Sequence, residues 1–231
     1  AAAAAARAAR AASRRARRSA TSPAAAARRR ATAAAARAPA PTPTPVGGAP
    51  AEPPEGLYDV LPADHRLPYV VERILRRVLD ADDYLEFQPD HAPEMLCATG
   101  RLNGRAIGII ANRRGFLKSD GGPRIGGIVY PESARKVAYF VEAADRYGLP
   151  LLYLQDVSGF MVGREAEEAG IIRAGAEMVE AMACARVPKI ILTLNHASGA
   201  GYYAMAGQGF DPNFNAITGL NGTRSEEHTS E

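Results

Sequence analysis

Cysteine is scarce in this 231-residue sequence, and the long apolar runs of membrane proteins are missing from it. The two cysteines, Cys97 and Cys184, lie far apart in apolar surroundings and form no CxxC pair. We therefore expect two buried free thiols in a reducing compartment, and we predict no metal site. Because no run of about 18 apolar residues occurs, we also predict no membrane-spanning helix.

Acidic residues are absent from the first 50 positions, which contain ten Arg and no Lys. With those ten Arg set aside, 18 basic residues stand against 25 acidic ones, so the rest of the chain carries about −7. The net charge of +3 therefore comes from the N-terminal segment. This asymmetry argues against a basic nucleic-acid-binding domain, because the part of the chain that can fold is acidic.

Residues 1–56 form a leader rich in Ala, Arg and Pro, in which Val46 is the only bulky apolar residue. Such a composition cannot bury a core, so we expect the leader to be disordered. Three origins stay open: a plain leader or translated GC-rich region, an organellar transit peptide, and a basic arm for nucleic acid. At the other end, residues 224–231 read like a translated sequencing adapter, and we expect the tail over residues 215–231 to be non-native.

Residues 57–214 alternate between strand and helix signals, which predicts an α/β domain with a largely parallel sheet. Asn103-Gly104 between two β-like runs predicts a hairpin. An apolar stripe after Pro68 predicts a first helix. Two further helices are predicted over residues 131–147 and 164–185, and two buried strands over residues 151–156 and 189–194.

Three finer expectations concern surfaces. The helix over 164–185 should bury the face formed by Ile172, Ala176, Val179 and Ala183. Lys189 should be solvated at a strand edge. The glycines within 121–127 indicate a loop, with a mobile lid as the alternative.

Two turns rich in small residues, at 156–163 and 195–201, follow the two buried strands. In parallel sheets, ligands bind where the carboxyl ends of strands lead into helices. Small residues let a ligand approach the free amides at a helix start, which is the construction of an oxyanion hole. Neither turn contains a P-loop, a dinucleotide fingerprint or a G-x-S-x-G nucleophile motif.

Other interpretations of these turns stay open. Gly199, Ala200 and Gly201 would also suit a tight helix start with close packing and no chemical role. His196 is a second candidate, as a catalytic base, although lone histidines are more often structural. Asp156 at a strand end is more often a turn or capping residue than an acid catalyst.

Several motifs occur in the order found in biotin-dependent acyl-CoA carboxyltransferase subunits. They are D-V-S-G-F-M-V-G (156–163), V-P-K-I-I-L-T-L (187–194), S-G-A-G-Y-Y-A-M-A-G (198–207) and F-D-P-N-F (210–214). The chain over 57–214 resembles the C-terminal domain of beta subunits of the propionyl- and methylcrotonyl-CoA carboxylase type. This resemblance implies the crotonase-like fold, a superhelix of ββα units. It also implies an incomplete single domain, because the family continues well past F-D-P-N-F, and the family has a further N-terminal domain that carries the acyl-CoA site.

The resemblance assigns roles to six positions. The backbone amides of Ala200 and Gly201 match those that hold the ureido oxygen of biotin in an oxyanion hole, and Gly199 matches the position that gives access to them. Gly159 and Phe160 match the turn that lines the biotin pocket. Tyr203 matches a position that shapes the choice of acyl chain.

By the same resemblance, the activity is carboxyl transfer from carboxybiotin to the α- or γ-carbon of an acyl-CoA. The implied cofactor is biotin on a carrier protein, and the implied partner is a biotin carboxylase/biotin carrier subunit. A dimer-based hexamer in the bacterial cytoplasm or the mitochondrial matrix is expected, and this chain alone should be inactive. Two alternatives are the carboxyltransferase subunit of a biotin-dependent acyl-CoA decarboxylase and a non-catalytic, partner-binding fragment.

Overall fold

A computed structural model describes residues 48–64, 66–81, 84–119 and 122–207, and the backbone of 214–216 and 223–224. The predicted leader lies outside the described residues up to position 47, as does most of the predicted tail. Ordered contacts begin before the predicted boundary at residue 57, since the amide of Glu52 donates to the carbonyl of Arg76 at 3.1 Å. None of the described helices has the length and apolar character needed to cross a membrane.

The structure contains both helices and strands, named here in chain order. A 3₁₀ turn at Pro54–Leu57 comes first. The helices are α1 (Glu72–Val78), α2 (Pro131–Tyr147), α3 (Arg164–Glu168), α4 (Ile171–Cys184) and α5 (Gly199–Ala204). The strands are β1 (Tyr84–Glu86), β2 (Met95–Leu102), β3 (Arg105–Asn112), β4 (Phe116–Ser119), β5 (Gly122–Ile125), β6 (Ile128–Val129), β7 (Leu151–Val157), β8 (Gly159–Phe160), β9 (Lys189–Ala197), β10 (Phe214–Ala216) and β11 (Thr223–Arg224).

One mixed sheet organises these elements, in the order β1-β2-β3-β7-β9-β10, with β11 also pairing with β9. The pairs β1–β2 and β2–β3 are antiparallel, and β3–β7, β7–β9 and β9–β10 are parallel. Strands β2 and β3 and helix α2 form one strand–strand–helix unit, with the short strands β4, β5 and β6 between β3 and α2. The α/β architecture predicted from the sequence is confirmed.

Local signals account for two of these elements. Asn103 and Gly104 both have positive φ, at 52° and 76°, as the tight turn between β2 and β3 requires. Helix α2 starts with Pro131 and ends at Gly148, which has the left-handed conformation common at helix C-termini. Both predictions are confirmed.

The sheet is covered on both faces by two apolar cores. Along β7, Leu151 and Tyr153 belong to the core shared with α2 and α4. Leu152 and Leu154 belong to the core on the opposite face, which includes Ile74 and Leu75 of α1. All seven residues of β7 are buried, which holds the turn after this strand on a rigid support.

The predicted helix over 164–185 is two helices, because the chain takes a left-handed conformation at Gly170 between α3 and α4. Its predicted inward face is also wrong: Ile172 is 78% exposed, and Ala176 and Ala183 are exposed. The buried face is instead the neighbouring one, formed by Ile171, Ala174, Met178 and Met182. Helix α4 is apolar on both faces, so either could have met the core.

Three further expectations are corrected. Lys189 is buried rather than solvated, and its ammonium donates to the carbonyl of Ala185 beneath the end of α4. Cys97 is buried as expected, but Cys184, in the last turn of α4, is exposed. Much of the glycine-rich stretch 121–127 is a strand, since β5 pairs with β4 in antiparallel register.

Candidate active site at the ends of β7 and β9

Two adjacent parallel strands bring the two predicted turns together. Strands β7 and β9 are paired up to Val157 and Ala197, so the chain leaves both at the same edge of the sheet. The amide of Ser198 donates to the carbonyl of Val157 at 3.3 Å, which links the start of one turn to the other.

The turns meet at two glycines. A Cβ atom added to Gly201 would lie 2.7 Å from Cγ2 of Val157 and 3.1 Å from Cα of Gly159. Carbon atoms attract at about 3.5–4.0 Å, so any side chain at this position would force the turns apart. Gly201 is therefore required for the backbone of α5 to lie directly on the turn after β7.

The start of α5 presents backbone amides. The amide of Tyr202 donates to the carbonyl of Ser198 at 3.1 Å, so helical hydrogen bonding begins at Tyr202. By helix geometry, the preceding amides of Gly199, Ala200 and Gly201 have no acceptor within the helix. The Ser198 side chain makes no capping bond to them. Added Cβ atoms at Gly199 and Gly159 would enter open space, so the surface beside these amides can admit a ligand.

An apolar pocket of about 610 Å³ opens beside the two turns. Phe160 from the first turn and Ala200 and Tyr203 from the second line it together. Helix α4 supplies the opposite wall through its exposed face, including Ile172 and Val179. Five of the six predicted site residues thus lie at the pocket or in the turn contact beside it: Gly159, Phe160, Ala200, Gly201 and Tyr203. The sixth, Gly199, lies at the start of α5.

A buried carboxylate lies behind the turns. Asp156 is fully buried, and its Oδ2 accepts a hydrogen bond from the Tyr69 hydroxyl at 2.8 Å. Its Oδ1 accepts one from the backbone amide of His196 at 2.9 Å, with His196 Nδ1 at 3.3 Å. The Nε atom of Arg114 lies 3.5 Å from Oδ2. Asp156 is therefore neither a helix cap nor a simple turn residue.

Tyr69 and Arg114 were not predicted from the sequence, since each lies in a connecting segment far from Asp156 in the chain. Burial, the Asp156 charge and the hydrogen bond to it all raise the pKa of Tyr69, so this hydroxyl stays protonated and donates. A tyrosine and an arginine carry no local motif for such contacts. The parallel pairing of β3 and β7 brings Arg114, which follows β3, to the edge where β7 ends, and Tyr69 reaches it from the core on one face of the sheet.

Comparison with known proteins gives one family. The sequence model of the carboxyl transferase domain matches residues 23–223. The biotin-dependent 3-methylcrotonyl-coenzyme A carboxylase beta1 subunit of Mycobacterium tuberculosis is 40% identical over 165 residues, which are 71% of this chain and 29% of that protein. The mitochondrial methylcrotonoyl-CoA carboxylase beta chain of Arabidopsis thaliana is 37% identical over 166 residues, covering 69% of this chain and 26% of the relative.

Solved structures give the same result. The beta subunit of Pseudomonas aeruginosa geranyl-CoA carboxylase (GCC) superposes with a TM-score of 0.67 at 37% identity, over 75% of this chain and 31% of that subunit. Transcarboxylase 12S superposes with a TM-score of 0.63 at 34% identity, over 71% of this chain and 30% of the other. This chain thus spans less than a third of the length of these relatives.

Proposed function

Because this chain belongs to the carboxyl transferase domain family, we propose that it forms part of the carboxyltransferase component of a biotin-dependent acyl-CoA carboxylase. A full-length subunit that carries this sequence transfers a carboxyl group from biotin on a carrier protein to the α- or γ-carbon of an acyl-CoA. Its partner is a biotin carboxylase/biotin carrier subunit, and the subunit assembles with copies of itself into a dimer-based hexamer. It works in the bacterial cytoplasm or the mitochondrial matrix.

The observation that carries this proposal is the meeting of two turns at an apolar pocket. Gly201 lies directly against Gly159, and Ala200 lines the pocket together with Phe160. The amides at the start of α5 are therefore held on a rigid support beside an apolar space large enough for a small ligand. This arrangement suits a ligand with an apolar body and one oxygen that gains negative charge.

The proposed chemistry divides between the ligand and the chain. Biotin, when bound, supplies the carboxyl group and the base for the acyl-CoA proton. The amides of Ala200 and Gly201 donate hydrogen bonds to the ureido oxygen and stabilise the charge that develops there. Gly199 leaves these amides accessible, and Gly159 and Phe160 hold the apolar part of the ligand. Tyr203, which also lines the pocket, limits the shape of the acyl chain.

The test uses a full-length subunit that carries this sequence, together with a biotinylated carrier charged with radiolabelled bicarbonate. We expect acid-stable label in an acyl-CoA such as methylcrotonyl-CoA or propionyl-CoA, and no label with residues 1–231 alone. A folded full-length subunit that labels no acyl-CoA, while a known carboxylase beta subunit does so in parallel, would overturn the proposal.

A further inference from the structure

Asp156, which does not line the pocket, connects the two turns of the site through hydrogen bonds. Its backbone amide donates to Asn112 Oδ1 at 3.0 Å, which fixes the end of β7 to the end of β3. Its Oδ1 atom then accepts the hydrogen bond from the amide of His196, four residues before Ala200. One carboxylate thus sets the distance between the end of β7 and the segment that leads into α5.

Arg114 extends this connection to the first turn. Its side chain is 13% exposed and lies between Asp156 Oδ2 and Ser158 Oγ. The Nη1 atom of Arg114 donates a hydrogen bond to Ser158 Oγ at 3.3 Å. The guanidinium passes so close to Gly127 that a Cβ atom there would collide with it. The carbonyl of Gly127 in turn accepts from the amide of Ser158 at 2.7 Å. Ser158, which precedes Gly159, is therefore held through both its side chain and its backbone.

We propose that Asp156 is a positioning residue for carboxyl transfer, which holds the turns at Gly159 and Ala200 in a fixed mutual position. This inference rests on the proposed function, because it assumes that the amides of the second turn meet the ligand. Asp156 does not line the pocket, so it acts through the turns and not on a bound molecule. Hydrogen bonds from the Tyr69 hydroxyl and the His196 amide, together with the nearby Arg114 guanidinium, compensate the burial of its carboxylate.

Asp145 offers a matched control at the other end of β9. Its Oδ1 atom accepts from the backbone amides of Arg186 at 2.6 Å and Val187 at 3.2 Å, and its Oδ2 atom faces the Arg186 guanidinium. It therefore makes the same kinds of contact as Asp156, but where the chain enters β9 and not where it leaves. Asp145→Ala reports the cost of losing such contacts away from the site.

The experiment compares Asp156→Ala, Asp156→Asn and Asp145→Ala in the full-length subunit. Displacement of a site by about 1 Å costs roughly 100-fold in rate, so Asp156→Ala should lower kcat by about 100-fold. Its KM for acyl-CoA should stay within about twofold, because the lost interaction is one of the transition state. The amide oxygen in Asp156→Asn still accepts from His196, so this variant should recover to within about tenfold of wild type. Asp145→Ala should keep the wild-type kcat.

Hydrogen exchange on residues 1–231 gives a readout that does not depend on activity. Asp156→Ala should speed exchange at the hydrogen-bonded amides of His196 and Ser198, and Asp145→Ala should do so only at Arg186 and Val187. If the wild-type subunit transfers no carboxyl group, the proposed function fails, and the exchange comparison still decides whether Asp156 positions the turn.

Four results would overturn the proposal. They are unchanged exchange at His196 and Ser198 in Asp156→Ala, a kcat within threefold of wild type in that variant, an equal loss of kcat in Asp145→Ala, and an Asp156→Asn variant as inactive as Asp156→Ala. Should Asp156→Ala fail to fold, Arg114→Met replaces it, since it removes the guanidinium between Asp156 and Ser158. We expect about a tenfold loss of kcat with an unchanged KM. A wild-type kcat in Arg114→Met would then contradict the positioning role.

Discussion

Replacing Gly201 with alanine tests whether the two turns must touch. The new methyl group would lie 2.7 Å from Cγ2 of Val157 and 3.3 Å from the amide nitrogen of Gly159. Val157 is fully buried and β-branched, so its side chain cannot rotate away. Relief therefore requires movement of backbone on one side of the contact.

The size of that movement follows from the distances. Favourable carbon–carbon separation begins at about 3.5 Å, so the contact at 2.7 Å must open by about 0.8 Å. Overpacking of this kind costs about 1–3 kcal/mol in the free energy of unfolding. A displacement close to 1 Å at a site of fixed geometry costs roughly 100-fold in turnover. Gly201→Ala should thus fold, lose modest stability and lose most carboxyl transfer.

Gly108→Ala is the control, since its methyl group would lie 2.8 Å from Cδ2 of Leu151 at the opposite end of β7. Thermal unfolding should show a comparable loss of stability in the two variants. Carboxyl transfer by the full-length subunit, expressed per folded molecule, should fall only in Gly201→Ala. A folded Gly201→Ala subunit with wild-type turnover would refute the requirement for contact, and so would an equal loss of turnover in Gly108→Ala.

Three other outcomes are expected. Ala200→Pro removes one amide donor and should abolish carboxyl transfer while the circular dichroism spectrum stays normal. Ser198→Ala and His196→Ala keep the amides, so their turnover should stay within about tenfold of wild type. An inactive, folded His196→Ala subunit would contradict this expectation. In the native chain only the exposed Cys184 should react with a thiol reagent, and Cys97 should react only after unfolding. Burial raises the pKa of the Cys97 thiol from 9.0 to about 12, so between these pH values the unfolded chain releases the proton and the folded chain keeps it. The free energy of unfolding should therefore fall as the pH rises through this interval. The fall should be less steep in Cys97→Ala, which lacks the thiol.

Elements with local signals could be predicted from the sequence. The hairpin at Asn103-Gly104 and the end of α2 at Gly148 depend on backbone conformations that few residues adopt, so the residues themselves mark these positions. The juxtaposition of the two turns was also predictable. Two consecutive strand–turn–helix segments form adjacent parallel strands, and their turns then share one edge of the sheet.

The buried face of α4 could not be predicted in the same way. Ile171 and Ile172 are adjacent, as are Met178 and Val179, so two apolar faces differ by a rotation of one residue. The break at Gly170 also separates α4 from α3, so residues 164–185 do not share one continuous helical face. One face then enters the core, and the other lines the pocket beside Ala200. Tertiary packing, and not periodicity, makes this choice.

The contacts of Asp156 explain why this side chain is not the base in the proposed chemistry. It is the carboxylate that ends β7, yet both of its oxygens accept hydrogen bonds and its side chain is fully buried. The Nδ1 atom of His196 faces that same carboxylate at 3.3 Å. A general base must come within about 3 Å of the proton that it removes, and Asp156 does not line the pocket. What the turns offer a ligand is therefore backbone amides, which stabilise negative charge and cannot accept a proton. In the proposed function biotin contributes the base and the turns contribute these amides; the carboxylate that lines the pocket, Glu167, belongs to α3 and to neither turn.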